Sequence, residues 1–303
     1  MVKPDTTAAR ITGRVIAAFG RRYRVELENG GEVDCVTRGR KGDVACGDKV
    51  QAVRTGAGTG VIEKVGPRRT LFYRSDARRQ KLLAANVTQV VVVLAPLPPY
   101  SVDLIDRCLV AAEHAGIHAL LALNKSDLPQ AASAYDNLEL YRNLGYRIVL
   151  LSAKRDLSPL RLNLTGHVTL LVGQSGMGKS TIINNLVPNA AARVAEISMA
   201  LRTGRHTTTH AELYRVDRDS DIIDSPGLQE FGLHHLTPDE AAEAFVEFRP
   251  LLGQCRFRDC RHMEEPDCAI SAAAAARTIA PTRLASYRRL AHELARKPAA
   301  WES

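Results

Sequence analysis

One octapeptide constrains this chain more than any other stretch. It is Gly173-Gln174-Ser175-Gly176-Met177-Gly178-Lys179-Ser180, a complete G-x-x-x-x-G-K-[ST] run. The apolar residues Val168 to Val172 precede it and read as a buried strand, while Thr181 to Leu186 read as the first turns of a helix. Strand, glycine-rich turn and helix N-terminus in that order make a phosphate cradle. Glycines let successive N–H groups converge on one anion, and the helix dipole adds its positive end. In such a cradle the backbone from Gly173 to Thr181 lines the phosphates, Lys179 reaches the β- and γ-phosphates, and the Ser180 hydroxyl ligates Mg²⁺. The loop specifies a nucleoside triphosphate and leaves the base open.

Residues upstream address the base. From Asn86 the pattern alternates strands with helices, which indicates a parallel sheet. Expected elements are a buried strand over Val87–Ala95, a helix over Val102–Ala115, a strand over His118–Leu123, a helix near Ala131–Leu144 and a strand over Tyr146–Leu151. The strand ending at Leu123 runs into Asn124-Lys125-Ser126-Asp127, which resembles the N-K-x-D guanine-recognition motif of GTPases. Its physics is specific: a carboxylate at Asp127 accepts two hydrogen bonds, from guanine N1–H and the 2-amino group. Adenine offers neither donor there, so against ATP the carboxylate is left unpaired. Asn124 would hold the loop, and the Lys125 stem would cover the ring face. The next strand ends in Ser152-Ala153-Lys154, similar to the short S-A-K element whose backbone meets the guanine O6 in GTPases. Beyond the phosphate loop, Asp221-Ile222-Ile223-Asp224-Ser225-Pro226-Gly227 reads as an apolar strand ending in D-x-P-G. Asp224 would hold Mg²⁺, directly or through water, and the Gly227 N–H would sense the γ-phosphate.

The flanks carry different signals. Between about Arg10 and Val65, short alternating runs are punctuated by turns, with Asn29-Gly30 as the clearest hairpin. Five such strands predict a small closed barrel of the OB-fold type. Arg21, Arg22, Arg24, Arg38, Arg40 and Lys41, interleaved with Tyr23, suit contact with an RNA backbone, though a merely solvated surface reads the same way. Pro67-Arg68-Arg69, with Arg74, Arg78, Arg79 and Lys81, reads as a basic linker and arm. Near the other end, Cys255, Cys260, His262 and Cys268 offer three thiolates and an imidazole within a short, loop-rich stretch. That donor set fits a closed tetrahedral Zn²⁺ site with a structural role. Arg256, Arg258 and Arg261 around it, and Arg283, Arg288, Arg289, Arg296 and Lys297 on the following helix, make a basic face suited to RNA. Net charge is +8, which agrees with a polyanionic partner. No apolar run approaches the roughly 20 residues of a membrane span, and the first residues lack a secretory pattern, so a cytoplasmic protein without a membrane partner is expected. His234 and His235 read as surface residues.

The motif order is inverted. Asn124–Asp127 and Ser152–Lys154 precede the phosphate loop, whereas a conventional GTPase places them last. This order, between a small β domain and a Cys/His cluster, resembles the ribosome small subunit-dependent GTPase A family. Ala95-Pro96-Leu97-Pro98-Pro99, Gly204-Arg205-His206-Thr207-Thr208-Thr209 and Glu230-Phe231-Gly232-Leu233 also match, and the spacing of the Cys/His cluster follows the family pattern. The resemblance implies an α/β circularly permuted P-loop GTPase domain over 69–235, an N-terminal OB-fold β-barrel over 1–68, and a C-terminal helical zinc-binding domain over 236–303. It implies a monomeric GTP hydrolase that binds the small ribosomal subunit and its rRNA, assists late maturation and is stimulated by that subunit. It also makes Thr208 the switch threonine on Mg²⁺ and His206 the residue that positions water, since Leu228 stands where many GTPases carry glutamine. Because Gly227 is followed closely by the C-terminal region, a γ-phosphate-dependent shift there is expected to move that region directly. Two other functions remain open at this level: an RNA-binding chaperone with a passive nucleotide clamp, and a P-loop ATPase that remodels nucleic acid.

Overall fold

The computed structural model describes residues 10–38, 43–75, 80–187, 190, 211–225 and 231–295. Thr208, His206, Gly227, Leu228, Arg40, Lys41, Arg78, Arg79, Arg296 and Lys297 lie outside the described residues.

Five strands open the chain: β1 (Arg10–Phe19), β2 (Arg22–Leu27), β3 (Glu32–Thr37), β4 (Lys49–Gly56) and β5 (Thr59–Val65). They pair in the order β1-β2-β3-β5-β4, and β4 returns to β1, so the sheet closes on itself. All contacts are antiparallel except β3 with β5. Period-two patterning builds the interior: Tyr23, Val25 and Leu27 point inward from β2 and meet Val15, Val33, Val50 and Ile62. Tyr23 is therefore a core side chain, 2% exposed, and offers no stacking surface to a nucleobase.

The barrel is not a separate bead. A bulge between Val15 and Ala17 bends β1, and its far end pairs with β12 (Ala211–Arg215) through Ala17–Glu212 and Ala18–Ala211. Strand β1 thus belongs to both the barrel and the central sheet, whose order is β10-β9-β8-β11-β13-β12. Here β8 is Gln89–Leu94, β9 His118–Leu123, β10 Arg147–Leu150, β11 Val168–Val172 and β13 Asp221–Asp224. The five strands from β10 to β13 run parallel, and β12 is antiparallel to β13. All six residues of β8 are buried, as a central parallel strand covered on both faces must be.

Several local expectations change. The basic stretch after Pro67 is not an irregular linker: β6 (Leu71–Ser75) and β7 (Gln80–Ala85) form a separate hairpin. Phe72 packs on Phe231 at 5.5 Å between ring centroids, and Leu83 and Ala84 are buried, so apolar burial overrides the basic composition. Arg68 is no free arm either. It grips both oxygens of the buried Asp48 at 2.7 Å. The helix expected near Ala131–Leu144 is two pieces, α2 (Ala131–Asp136) and α3 (Glu139–Asn143), broken at the weak helix formers Asp136 and Asn137. A short helix, α4 (Ser158–Leu164), carries little signal in the sequence because only Leu160 and Leu164 mark its buried side.

α1 (Val102–His114) packs along the sheet, and α5 (Lys179–Leu186) follows the phosphate loop. The C-terminal part contains α6 (Pro238–Ala244), α7 (Ala269–Ala275) and α8 (Pro281–Ala295). Thr237 and Glu240 cap α6 reciprocally. Phe245, Phe248 and Tyr287 share one apolar cluster with Leu104, Cys108 and Leu109 of α1, so the C-terminal helices are continuous with the sheet's core. Among the described residues no helix is long and apolar enough to cross a membrane.

Candidate nucleotide and metal sites

The inverted motifs meet at the carboxyl ends of β8, β9, β11 and β13. Asn124, at the end of β9, is 2% exposed and joins two loops distant in sequence. Its Nδ2 donates to the Met177 carbonyl at 2.9 Å, and its Oδ1 accepts from the Ala153 N–H at 2.8 Å. One amide thereby locks the phosphate loop to the S-A-K loop. Lys125, with φ at +59°, donates its ammonium to the carbonyls of Leu97 at 2.5 Å and Gly176 at 2.8 Å. Its stem therefore lies across the mouth of the loop. Ser152 donates to Asp127 Oδ1 at 2.6 Å; that bond, ahead of the nearby Arg155 and Lys154 charges, holds the exposed carboxyl below its ordinary range. Ser126 lies beside it, its N–H bonded to the Leu151 carbonyl. Lys154 is exposed.

The phosphate loop is shaped by close approach. A Cβ on Gly173 would stand 2.4 Å from the Val93 carbonyl oxygen, and one on Gly178 2.3 Å from Asn124 Nδ2. Both glycines have positive φ, so a side chain meets strain as well as collision. Met177 is buried beneath the loop, whereas Ser175, Gly176 and Ser180 are exposed on it. Lys179 Nζ donates to the carbonyls of Gly173 at 2.7 Å and Gln174 at 3.0 Å. Burial lowers its pKa and the Asp224 charge opposes that shift. Thr181 lies in the first turn of α5.

Asp224 ends β13 nearby. Burial pushes its carboxyl up to about 6, against the attraction of Lys179 and with a further push from Glu212 across the ladder. Its Oδ1 is buried with no hydrogen-bond partner among the described residues. A desolvated carboxylate oxygen without a donor fits a cation or its bound water, the chemistry expected of Mg²⁺ at this position.

Two positioning contacts were not foreseen. The side chain of Gln174 accepts from the Ser101 N–H at 2.8 Å, tying the loop to the N-cap of α1. Asn185 Nδ2 donates to the Ala153 carbonyl at 2.6 Å, joining α5 to the S-A-K loop. A polar residue one helical turn past the loop was the available signal for Asn185. Gln174 carried none.

The second site lies at the far end of the chain. Cys255, Cys260, His262 and Cys268 place their donor atoms within 4.8 Å of one another. The three sulfurs stand 3.5, 3.6 and 3.4 Å from His262 Nδ1, and Cys255 and Cys268 are 3.9 Å apart. A tetrahedron with Zn–S about 2.3 Å and Zn–N about 2.0–2.1 Å has edges of about 3.6–3.8 Å. The separations match ligand–ligand edges and are far too long for a disulfide of about 2.05 Å. α8 steadies the loop from behind: Tyr287 OH donates to the Arg261 carbonyl at 2.9 Å and Arg288 Nε to the His262 carbonyl at 3.0 Å.

Those contacts revise the basic face. Arg283 is 1% exposed and pairs with Asp106 of α1 at 2.5 Å and Glu247 at 2.6 Å, its guanidinium over the Phe245 ring. It welds α8 to α1 and faces no RNA. Arg256 pairs with Asp267, while Arg258, Arg261 and Arg289 stay exposed. The two histidines are also more than surface: His234 Nε2 reaches Glu293 Oε1 at 3.2 Å, and His235 lies against Ser75 and the Tyr73 ring. Burial and the neighbouring His114 lower the pKa of His235 to about 4, so it is neutral at pH 7. The D-x-P-G exit is likewise not free. Ser75 bonds the Gly232 carbonyl and the His235 N–H, pinning that stretch to β6.

Known proteins share this arrangement. A family model described as RsgA GTPase matches residues 65–234. Curated relatives named small ribosomal subunit biogenesis GTPase RsgA include one from Nitrosomonas europaea, 50% identical over 94% of this chain and 92% of its own, and one from Burkholderia pseudomallei, 50% identical over 94% and 92%. Among solved structures, YjeQ from Thermotoga maritima superposes with a TM-score of 0.72 at 30% identity, covering 94% of this chain and 99% of that one. YloQ, described as a circularly permuted GTPase, gives 0.66 at 25% identity over 97% and 98%. Sequence kinship along nearly the whole length and a common permuted fold lead to one conclusion: this chain belongs to the RsgA GTPase family.

Proposed function

We propose that this protein hydrolyses GTP to GDP and phosphate while bound to the small ribosomal subunit, assists that subunit's late maturation, and is stimulated by it. The observation that carries the nucleotide half is Asn124, whose single amide gathers the phosphate and base-recognition loops despite their inverted order. The ribosomal half is supported by the relatives' names.

On this reading the residues take the following roles. Asp127, pre-oriented by Ser152, accepts from the guanine edge. Asn124 fixes the loop, Lys125 shields one ring face, and backbone at Ser126, Ala153 and Lys154 borders the base. Gly173 to Thr181 receives the phosphates, with Lys179 turning from the loop carbonyls toward the β- and γ-oxygens. Ser180, Thr208 and Asp224 would hold Mg²⁺, which supplies charge neutralisation between the β- and γ-phosphates. Gly227 is assigned to γ-phosphate sensing and His206 to orienting water. Cys255, Cys260, His262 and Cys268 would hold one structural Zn²⁺. We assign RNA contact to the barrel of 1–68 and the zinc-bearing 236–303, flanking the catalytic 69–235, in a monomer working in the cytoplasm.

Two measurements test this. Purified small subunits raise the steady-state GTPase rate at least about tenfold if the reading is right; an unchanged rate removes the ribosomal half and leaves the nucleotide half standing. Asp127→Asn weakens GTP binding by at least about tenfold, since a hydrogen bond to a charged group contributes about 1.5–3 kcal/mol. The same variant gains relative affinity for xanthosine triphosphate. ATP competing equally with GTP in the parent protein would sink the guanine assignment.

A further inference from the structure

Five groups from three separate elements converge beside the D-x-P-G exit. Arg107 of α1 donates Nη1 to the Phe231 carbonyl at 3.3 Å, Nη2 to Glu293 Oε2 at 2.7 Å and Nε to Asp103 at 2.7 Å. Glu293 lies on α8 and uses its other oxygen to meet His234 Nε2 at 3.2 Å. Phe231 and His234 sit four and seven positions after Gly227 in the chain. The carboxylate of the C-terminal helix is thus gripped from two sides, by α1 and by the chain leaving the motif. The cluster is largely shielded, with 14% side-chain exposure for Arg107, 29% for Glu293 and 21% for His234.

We propose that Arg107 and Glu293 form a latch through which the nucleotide state is read by the zinc-bearing C-terminal region. The inference rests on the reading of Asp224 to Gly227 as a γ-phosphate switch. Ser75 holds the Gly232 carbonyl and the His235 N–H on β6, which leaves the Phe231 carbonyl, held by Arg107, as the point where a change at the motif meets α1. What stays responsive is the set of contacts at Arg107. Its guanidinium holds the Phe231 carbonyl and the Glu293 carboxylate at once, so a displacement of Phe231 changes the geometry offered to α8. The phosphate loop also reaches α1, at its N-cap, since the Ser101 N–H bonds Gln174. α8 carries Tyr287 and Arg288, which hold the backbone of the Cys/His loop, so a shift of α8 is passed to that loop. By reciprocity, a partner that restrains the zinc region biases the switch by the same free energy. Arg107 acts here as a positioning residue: among the described residues it bonds neither the nucleotide site nor a metal ligand.

The test compares hydrogen exchange of the full-length protein with GDP and with a non-hydrolysable GTP analogue. In the parent protein the two nucleotides give different protection at 173–187 and also at 281–295. In Arg107→Gln the difference at 281–295 shrinks at least about fivefold, the low end of ordinary coupling factors, while that at 173–187 persists. Glu293→Gln, which removes the charge and turns one of the two accepting oxygens into a donor, is measured alongside and shows the same loss. Metal content and melting temperature identify the folded variant. A nucleotide-dependent difference at 281–295 that survives in either folded variant overturns the latch, as does its absence from the parent protein when 173–187 responds. No response at 173–187 would instead overturn the nucleotide site itself, and missing stimulation by small subunits the ribosomal reading.

Discussion

Lys179→Ala lowers GTP hydrolysis by about 10²–10³-fold, the loss expected when one preorganised donor to a developing charge is removed. The fold should survive the change. Its ammonium bonds only two loop carbonyls, Gly173 and Gln174, and burial already lowers its pKa. Water replaces it at those carbonyls at little cost, and the loop keeps its shape through Asn124 and Lys125. Affinity for the triphosphate falls more than that for the nucleoside, because the lysine addresses the β- and γ-oxygens. Single-turnover rates at saturating GTP, set beside melting curves, separate chemistry from stability. Hydrolysis within about tenfold of the parent rate in a folded variant would remove Lys179 from the mechanism.

Removing the metal has a larger effect on structure. Chelation, or Cys260→Ser, is expected to abolish stoichiometric zinc and to melt the loop from Cys255 to Cys268, since structural sites of this kind contribute on the order of 10 kcal/mol. Cys260 is the informative choice because it is only half-buried and its Sγ has no packing role comparable to that of Cys268, the N-cap of α7. α8 loses its hold on the Arg261 and His262 carbonyls, so proteolysis begins between 250 and 270. The nucleotide site stays intact, its contacts being made by other elements. Metal analysis, limited proteolysis and nucleotide binding on one preparation check all three statements. An unchanged melting temperature and digestion pattern after complete zinc removal would sink the structural role.

Legibility in the chain followed locality. The barrel strands, the alternation of strand and helix from Asn86, and the start of the helix at Val102 were readable because period and turn chemistry act over a few residues. The hairpin of β6 and β7 was not. Its basic composition pointed to an exposed arm, and what organises it is burial of Phe72 against Phe231, more than 150 positions away. Arg283 failed for the same reason. A helix rich in arginine gives no sign of which one faces inward, and only Asp106 and Glu247, placed by other elements, make a buried guanidinium tolerable.

The donor sets of the candidate nucleotide and metal sites were legible in the sequence alone, because phosphate loops, N-K-x-D and Cys/His clusters carry them within short stretches. Their order along the chain also revealed the permutation. Tertiary structure alone decided how these parts hold one another. The phosphate loop at Gly173 is braced by Asn124 from about 50 residues upstream, Asp127 is oriented by Ser152, and the exit past Gly227 is pinned to β6 while Arg107 and Glu293 join it to the end that carries the Cys/His cluster. The physical reason is that these bonds join groups far apart in the sequence, and folding alone sets the distances between them.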